Sequence, residues 1–151
     1  MPSRLPCPRP SSLAGLVLAA GLQATALPAA AQDGAAPAIN LELNGLQDSD
    51  KGCRIAFVVE NGLPRDIGKA AYEIALFDKA GMVDRLLVLD FQDLPAAKTK
   101  VKRFDLADAE CGAIGRVLVN DASACEGDGI APGDCIARLN ATTRSGVAFG
   151  K

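Results

Sequence analysis

Short alternating apolar runs, turn residues at regular intervals and an even set of cysteines predict an all-β domain, an immunoglobulin-like β-sandwich of about seven strands with two disulfides. The clearest run is Tyr72-Glu-Ile-Ala-Leu-Phe-Asp-Lys-Ala-Gly81. Tyr72, Ile74 and Leu76 recur at period two, and Asp78 to Gly81 supplies turn chemistry. A second apolar run, Arg85 to Phe91, follows. Alternation, a Gly-ended turn and a second run predict a β-hairpin.

The ends set the domain limits. Arg4 and Arg9 precede the apolar stretch Ser12 to Leu22, and Pro28-Ala-Ala-Ala31 offers small residues for a peptidase. Residues 1–31 therefore read as a cleavable Sec-type signal peptide, with no twin-arginine pair, and residues 32–38 as a loose Ala/Gly/Pro-rich lead-in. Residues 39–151 form the single predicted domain, a size suited to one core. No later stretch is long and apolar enough for a membrane span. Residues 32–151 carry 14 basic and 18 acidic side chains, net −4. A mildly acidic surface argues against nucleic acid and anionic membranes as partners.

The elements follow in order. Ile39, Leu41 and Leu43 share one face of a first strand, and Asp48, Ser49 and Asp50 favour a turn. Cys53, Ile55, Phe57 and Val59 share one face of the second, which puts Cys53 inward at its start. Asn61-Gly62 with Leu63-Pro64 predicts a wider connection. Residues 70–77 and 83–91 form the hairpin, and Leu86-Leu-Val-Leu89 is apolar on both faces, which calls for cover on both sides or a partner. Residues 98–106 read as an edge strand blunted by Lys98, Lys100, Lys102 and Arg103, with room for a bulge between Val101 and Phe104. One helical turn or a tight corner at 107–112 leads to a strand at 114–120. Residues 122–132 read as a loop and 135–143 as the last strand, with Val147 to Phe149 extending it or packing separately.

Cys53, Cys111, Cys125 and Cys135 follow the predicted signal peptide, which itself holds Cys7. Four cysteines in an exported chain allow three pairings. Cys125 and Cys135 bracket a Gly/Pro-rich loop that can fold back, which pairs them and leaves Cys53 with Cys111. No CxxC pair points to a metal or redox site.

Ile74-Ala-Leu-Phe-Asp-Lys-Ala-Gly81 resembles the aromatic/aliphatic-x-Leu-aromatic-Asp-x-x-Gly pattern of bacterial FxLYD-type domains, with Ile74 in the place of Phe. The chain is also similar to uncharacterised exported proteins of Gram-negative bacteria, in which a cysteine-led strand like Cys111 to Asn120 precedes a second cysteine pair. The resemblance implies an immunoglobulin-like envelope module in the periplasm. It transfers no activity and no functional residue.

Catalytic equipment is sparse. There is no His, which removes the commonest general base and metal ligand. Ser123 and Ser145 have no partner that sequence can name. The carboxylate pairs Asp48/Asp50, Asp105/Asp108 and Asp128/Asp134 sit where turns attract Asp without catalysis. Glu126-Gly-Asp-Gly lacks the alternating ligands of an EF-hand loop and reads as a solvated tip. No cofactor is expected. The reading is a non-enzymatic periplasmic interaction or ligand-binding module, with another cell-envelope protein as partner. Its surface is placed at Leu86 and Val88 or at the loop carrying Glu126 and Asp128. The alternatives are a structural subunit of an envelope complex and, behind it, a carboxylate-dependent hydrolase.

Overall fold

A computed structural model describes residues 36–151. The predicted signal peptide, Cys7 and most of the lead-in lie outside the described residues. Eight strands form two four-stranded sheets. The first has the order β5-β2-β1-β7, from β1 (Ile39–Ser49), β2 (Gly52–Asn61), β5 (Thr99–Ala107) and β7 (Leu139–Thr143). The second has the order β4-β3-β6-β8, from β3 (Ile67–Asp78), β4 (Val83–Leu94), β6 (Ile114–Glu126) and β8 (Ala148–Gly150). The apolar faces meet in one core, so the β-sandwich expected from the alternation is present.

The inward sets are those the period-two pattern marks. Ile39, Leu41, Leu43, Cys53, Ile55, Phe57, Val59, Tyr72, Ile74 and Leu76 are all buried. The predicted hairpin is β3–β4. The Asp78 N–H donates to the Met82 carbonyl and its carbonyl accepts from the Gly81 N–H, its Oδ1 accepts the Met82 N–H at 2.9 Å, and Gly81 takes φ +83°. Asp78 and Gly81 are therefore turn residues.

No Trp is available, and five of the six aromatic rings fill the centre instead. Phe57 and Phe91 stack edge to face at 5.5 Å, with Tyr72 and Phe104 against Phe91 and Phe149 against Phe57. The Tyr72 hydroxyl donates to the Cys135 carbonyl, which ties the core to the second disulfide.

Both disulfides have the expected pairing. Cys53–Cys111 joins the start of β2 to a 3-10 turn at Cys111–Ala113 ahead of β6, and so links the two sheets. Cys125–Cys135 closes a ten-residue separation.

Several expectations are corrected. β1 continues past Asn44 to Ser49, with a bulge between Leu43 and Gly45. Leu43 and Leu46 are three apart, so an unbroken strand would put them on opposite faces. The extra residue lets Leu46 pack against the core as well. β5 has no bulge: it pairs with β2 over nine consecutive positions. Lys100 and Lys102 share the inward side with Phe104 and Leu106, because lysine stems can cover apolar surface while the ammonium reaches water. β6 runs to Glu126, so the loop starts at residue 127, not 122. The predicted strand at 135–143 is in fact a helical turn, α1 (Asp134–Ala137), followed by β7. Asp134 Oδ2 accepts the Ala131 N–H at 2.9 Å, and its carbonyl accepts from Arg138, which winds the closed loop into that turn. The chain then crosses the sandwich twice. β7 lies parallel to β1 in one sheet, and β8 lies parallel to β6 in the other.

Gly52 closes the two-residue Asp50-Lys51 hairpin at φ +134°, and an added Cβ would press on the Leu106 carbonyl oxygen. Gly52→Ala is expected to cost at least about 2 kcal/mol through strain plus clash. A fall in the urea midpoint with the slope unchanged is the check; an unshifted midpoint would show that β5 yields freely.

Candidate interaction surface

One side of the sandwich is bounded by β4 and β5, each at the edge of its own sheet. Every exposed large hydrophobic residue among the described residues lies on these two strands or on the turn entering β4. Met82 is 67 % exposed, Val83 54 %, Leu86 57 %, Val88 57 % and Val101 63 %. The β4 pattern explains this. Leu87, Leu89 and Phe91 turn inward, which leaves Leu86 and Val88 on the outer face. The cover expected on both faces of Leu86 to Leu89 exists on one face only. The outer row continues inward on the sheet from Leu86 to Ala75 on β3 and Leu118 on β6, which pair in register.

Three cations tie the two edges together. Arg85 Nη1 donates to the Ala107 carbonyl at 2.9 Å. Lys102 Nζ donates to Gln92 Oε1 at 2.9 Å, and Lys100 Nζ reaches both the carbonyl and Oδ2 of Asp93 at 2.7 Å. Beside these ties an open groove of about 450 Å³ runs between the strands, lined by Leu87, Leu89, Phe104 and Leu106 among others. Sequence reasoning did not single out these cations as cross-links, because it does not show which strands become neighbours.

Glu126 and Asp128 are both exposed, but they do not join this surface. Glu126 ends β6 opposite Lys69, and β3 stands between β6 and β4. Asp128 lies in the following loop, where Gly129 packs closely on the Arg65 guanidinium. Among the described residues no three His, Cys, Asp or Glu side chains gather as metal ligands.

A smaller concavity of about 210 Å³ at the hairpin turn is lined by Asp78, Asp84, Asp108 and Glu110 with Arg85. Asp78 holds the turn and Asp84 holds Arg85 at 2.6 Å, so two of these carboxylates already have structural partners. Asp108 and Glu110 are exposed. Of the other carboxylates in the predicted pairs, Asp105 is held bidentately by Arg54 and Asp134 by Ala131 and Arg138.

Four carboxyls sit below their ordinary range. A hydrogen bond from Arg144 lowers Glu42, one from Lys100 lowers Asp93, one from Arg54 lowers Asp105, and the Ala131 amide followed by Arg138 lowers Asp134. Burial pushes the Tyr72 phenol up. A carboxyl lowered in the folded state contributes stability above its unfolded pKa and loses it as pH falls through the folded value. A phenol raised in the folded state contributes below about pH 10 and loses it as pH rises further. With no His, the melting temperature should be flat from about pH 5 to 9, falling shallowly below about 4 and again above about 10. A scan of melting temperature against pH with a step near pH 6.5 would contradict this.

Comparison of the chain with protein-family models, curated proteins and solved structures finds no match. The surface has to be read from its own residues.

Proposed function

We propose that the protein is a non-enzymatic interaction module of an oxidising, extracytoplasmic compartment, the periplasm of a Gram-negative bacterium, and that it engages another envelope protein through the β4 side. The observation that carries this reading is the confinement of the exposed large apolar side chains to β4, its turn and β5. Single exposed hydrophobics are ordinary, but a group on one side marks a contact surface. Two disulfides in a small domain fit an oxidising compartment. Among the described residues no helix is long and apolar enough to cross a membrane.

A structural subunit would use the same surface permanently; a stoichiometric complex that survives purification distinguishes that role. A hydrolase would have to rely on Asp108 and Glu110, which are both exposed to water at the rim of the open concavity by the hairpin turn. The interaction reading is therefore preferred.

Leu86→Lys combined with Val88→Lys should abolish cross-linked capture of the partner from envelope extracts while leaving the melting temperature within a few degrees, since both side chains are already solvated. Undiminished capture by a folded double variant would remove the β4 side from consideration.

A further inference from the structure

We infer that β4 binds its partner by strand addition, and that the partner segment is an extended peptide with basic residues six apart flanking an apolar stretch. This rests on the β4 side being the interaction surface and specifies how that surface works.

Edge strands carry unpaired backbone groups and are normally blunted. In this fold the blunting is uneven. β5 has the inward lysines Lys100 and Lys102, while β7 has five residues and β8 three. β4 has twelve, and apart from Arg85, which reaches across to the Ala107 carbonyl, its protection is confined to its ends. At the far end Asp90 Oδ1 caps the Gln92 N–H at 2.8 Å, Gln92 takes φ +62°, and Lys100 covers the Asp93 carbonyl. At the near end Met82 is held by Asp78. Residues 84–89 contain no proline and no lysine, and they offer about 20 Å of edge.

The side chains of that segment describe the occupant. Leu86 and Val88 lie between two exposed acids, Asp84 and Asp90. The groove over Leu87, Leu89, Phe104 and Leu106 adjoins the edge and can take the inward side chains of an added strand. A complementary strand therefore carries small or apolar residues inward and a base at each end of a seven-residue span. Main-chain pairing supplies affinity, and alternate side chains supply selectivity. A second copy of this chain fits less well. An antiparallel β4–β4 pairing centred on Leu87 matches Leu86 with Val88 but sets Asp84 against Asp90 twice, and like charges directly opposite destabilise.

The test uses the folded domain and four synthetic heptapeptides: KVTVTVK, EVTVTVE, and two forms of KVTVTVK with alternate amides N-methylated on one edge or on the other. The first should bind saturably and shift the amide resonances of residues 84–90. The acidic peptide should bind at least about tenfold more weakly at low salt, and methylation of the pairing edge should remove binding while methylation of the other leaves it. Equal binding by both methylated forms, resonance shifts elsewhere, or no binding by KVTVTVK would overturn strand addition. Concentration-dependent dimerisation centred on β4 would overturn it in favour of self-association. If strand addition fails while Leu86→Lys with Val88→Lys still abolishes partner capture, the interaction surface stands and only its mode is wrong; if capture is unaffected as well, both fail.

Discussion

Replacing Cys53 and Cys111 together by Ala should lower stability by about 4 kcal/mol, the largest single effect expected in this chain. The bond closes a separation of 58 residues, so it removes more freedom from the unfolded chain than Cys125–Cys135, for which roughly 3 kcal/mol is expected. Net stabilities of small domains are about 5–15 kcal/mol, so either loss is a large fraction of the whole. The two losses should also differ in character. Cys53 is fully buried at the start of β2, and its link to the turn before β6 joins the two sheets. Its loss should release the whole sandwich. Loss of the second bond should loosen the loop at 127–133 and the Tyr72 hydroxyl contact with Cys135 first. Urea unfolding of the two double variants reads this directly, with the larger fall in midpoint for Cys53→Ala/Cys111→Ala. A larger fall for the short-range pair would show that loop-closure entropy is not what governs.

The second large effect is expected at Asn61, the one buried polar or charged residue apart from Tyr72 among the described residues. Its Nδ2 donates to the carbonyls of Leu94 at 2.7 Å and Arg65 at 2.9 Å, and its Oδ1 accepts the Leu63 N–H at 3.0 Å. Its backbone holds Ala97 and Lys98. One side chain therefore fixes both the 62–66 connection and the turn after β4. Asn61→Ala removes the partner of two carbonyls and one amide, of which the Leu94 carbonyl and the Leu63 N–H are buried and the Arg65 carbonyl is part-buried. Each such orphan costs about 1–3 kcal/mol, and because the three share one site the sum is not additive. A loss of about 3 kcal/mol is expected, with a drop of roughly 10 °C or more in melting temperature. Asn61→Asp should be no better, because it removes the donor and brings a charge into the core. A near-neutral Asn61→Ala would mean that water enters and replaces the amide.

The sequence carried the inner faces of the first strands well, because period-two burial leaves a direct trace. Ile39, Leu41 and Leu43 on β1 and Ile55, Phe57 and Val59 on β2 are spaced as they pack. Asp78 and Gly81 marked their turn by chemistry that few other residues supply. The losses occur where a residue plays against type. Lys100 and Lys102 face inward on their stems, so β5 looked irregular. Asn44 is an inserted residue that lets two leucines of opposite parity reach one core. Asn61 looked like turn punctuation, and its buried hydrogen bonds depend on Leu94, which is distant in sequence. The crossing from β7 to β8 is a matter of long-range pairing that local pattern does not encode.

The surface was legible in part for the same reasons. Leu86 and Val88 drew notice because they break the alternation, and they are exposed on one outer face. Val101 was missed among lysines, although it lies on the neighbouring edge. Glu126 and Asp128 were grouped with the hairpin as alternatives, but they sit at the end of β6 and beyond it, separated from β4 by β3. Only strand order brings β4 beside β5 and leaves residues 84–89 as an open edge.

The central claim is that the side bounded by β4 and β5 meets a partner and the far part of the other sheet, at β1 and β7, does not. Photo-crosslinking with benzoylphenylalanine placed singly at Leu86, Val88 and Val101, and at the control positions Gln47 and Asn140, tests it most directly. The account predicts one discrete adduct of the same mass shared by Leu86 and Val88, weaker at Val101 and absent at Gln47 and Asn140. Adducts of equal yield at the control positions, or none at Leu86 and Val88 in cells that produce the folded protein, would contradict it.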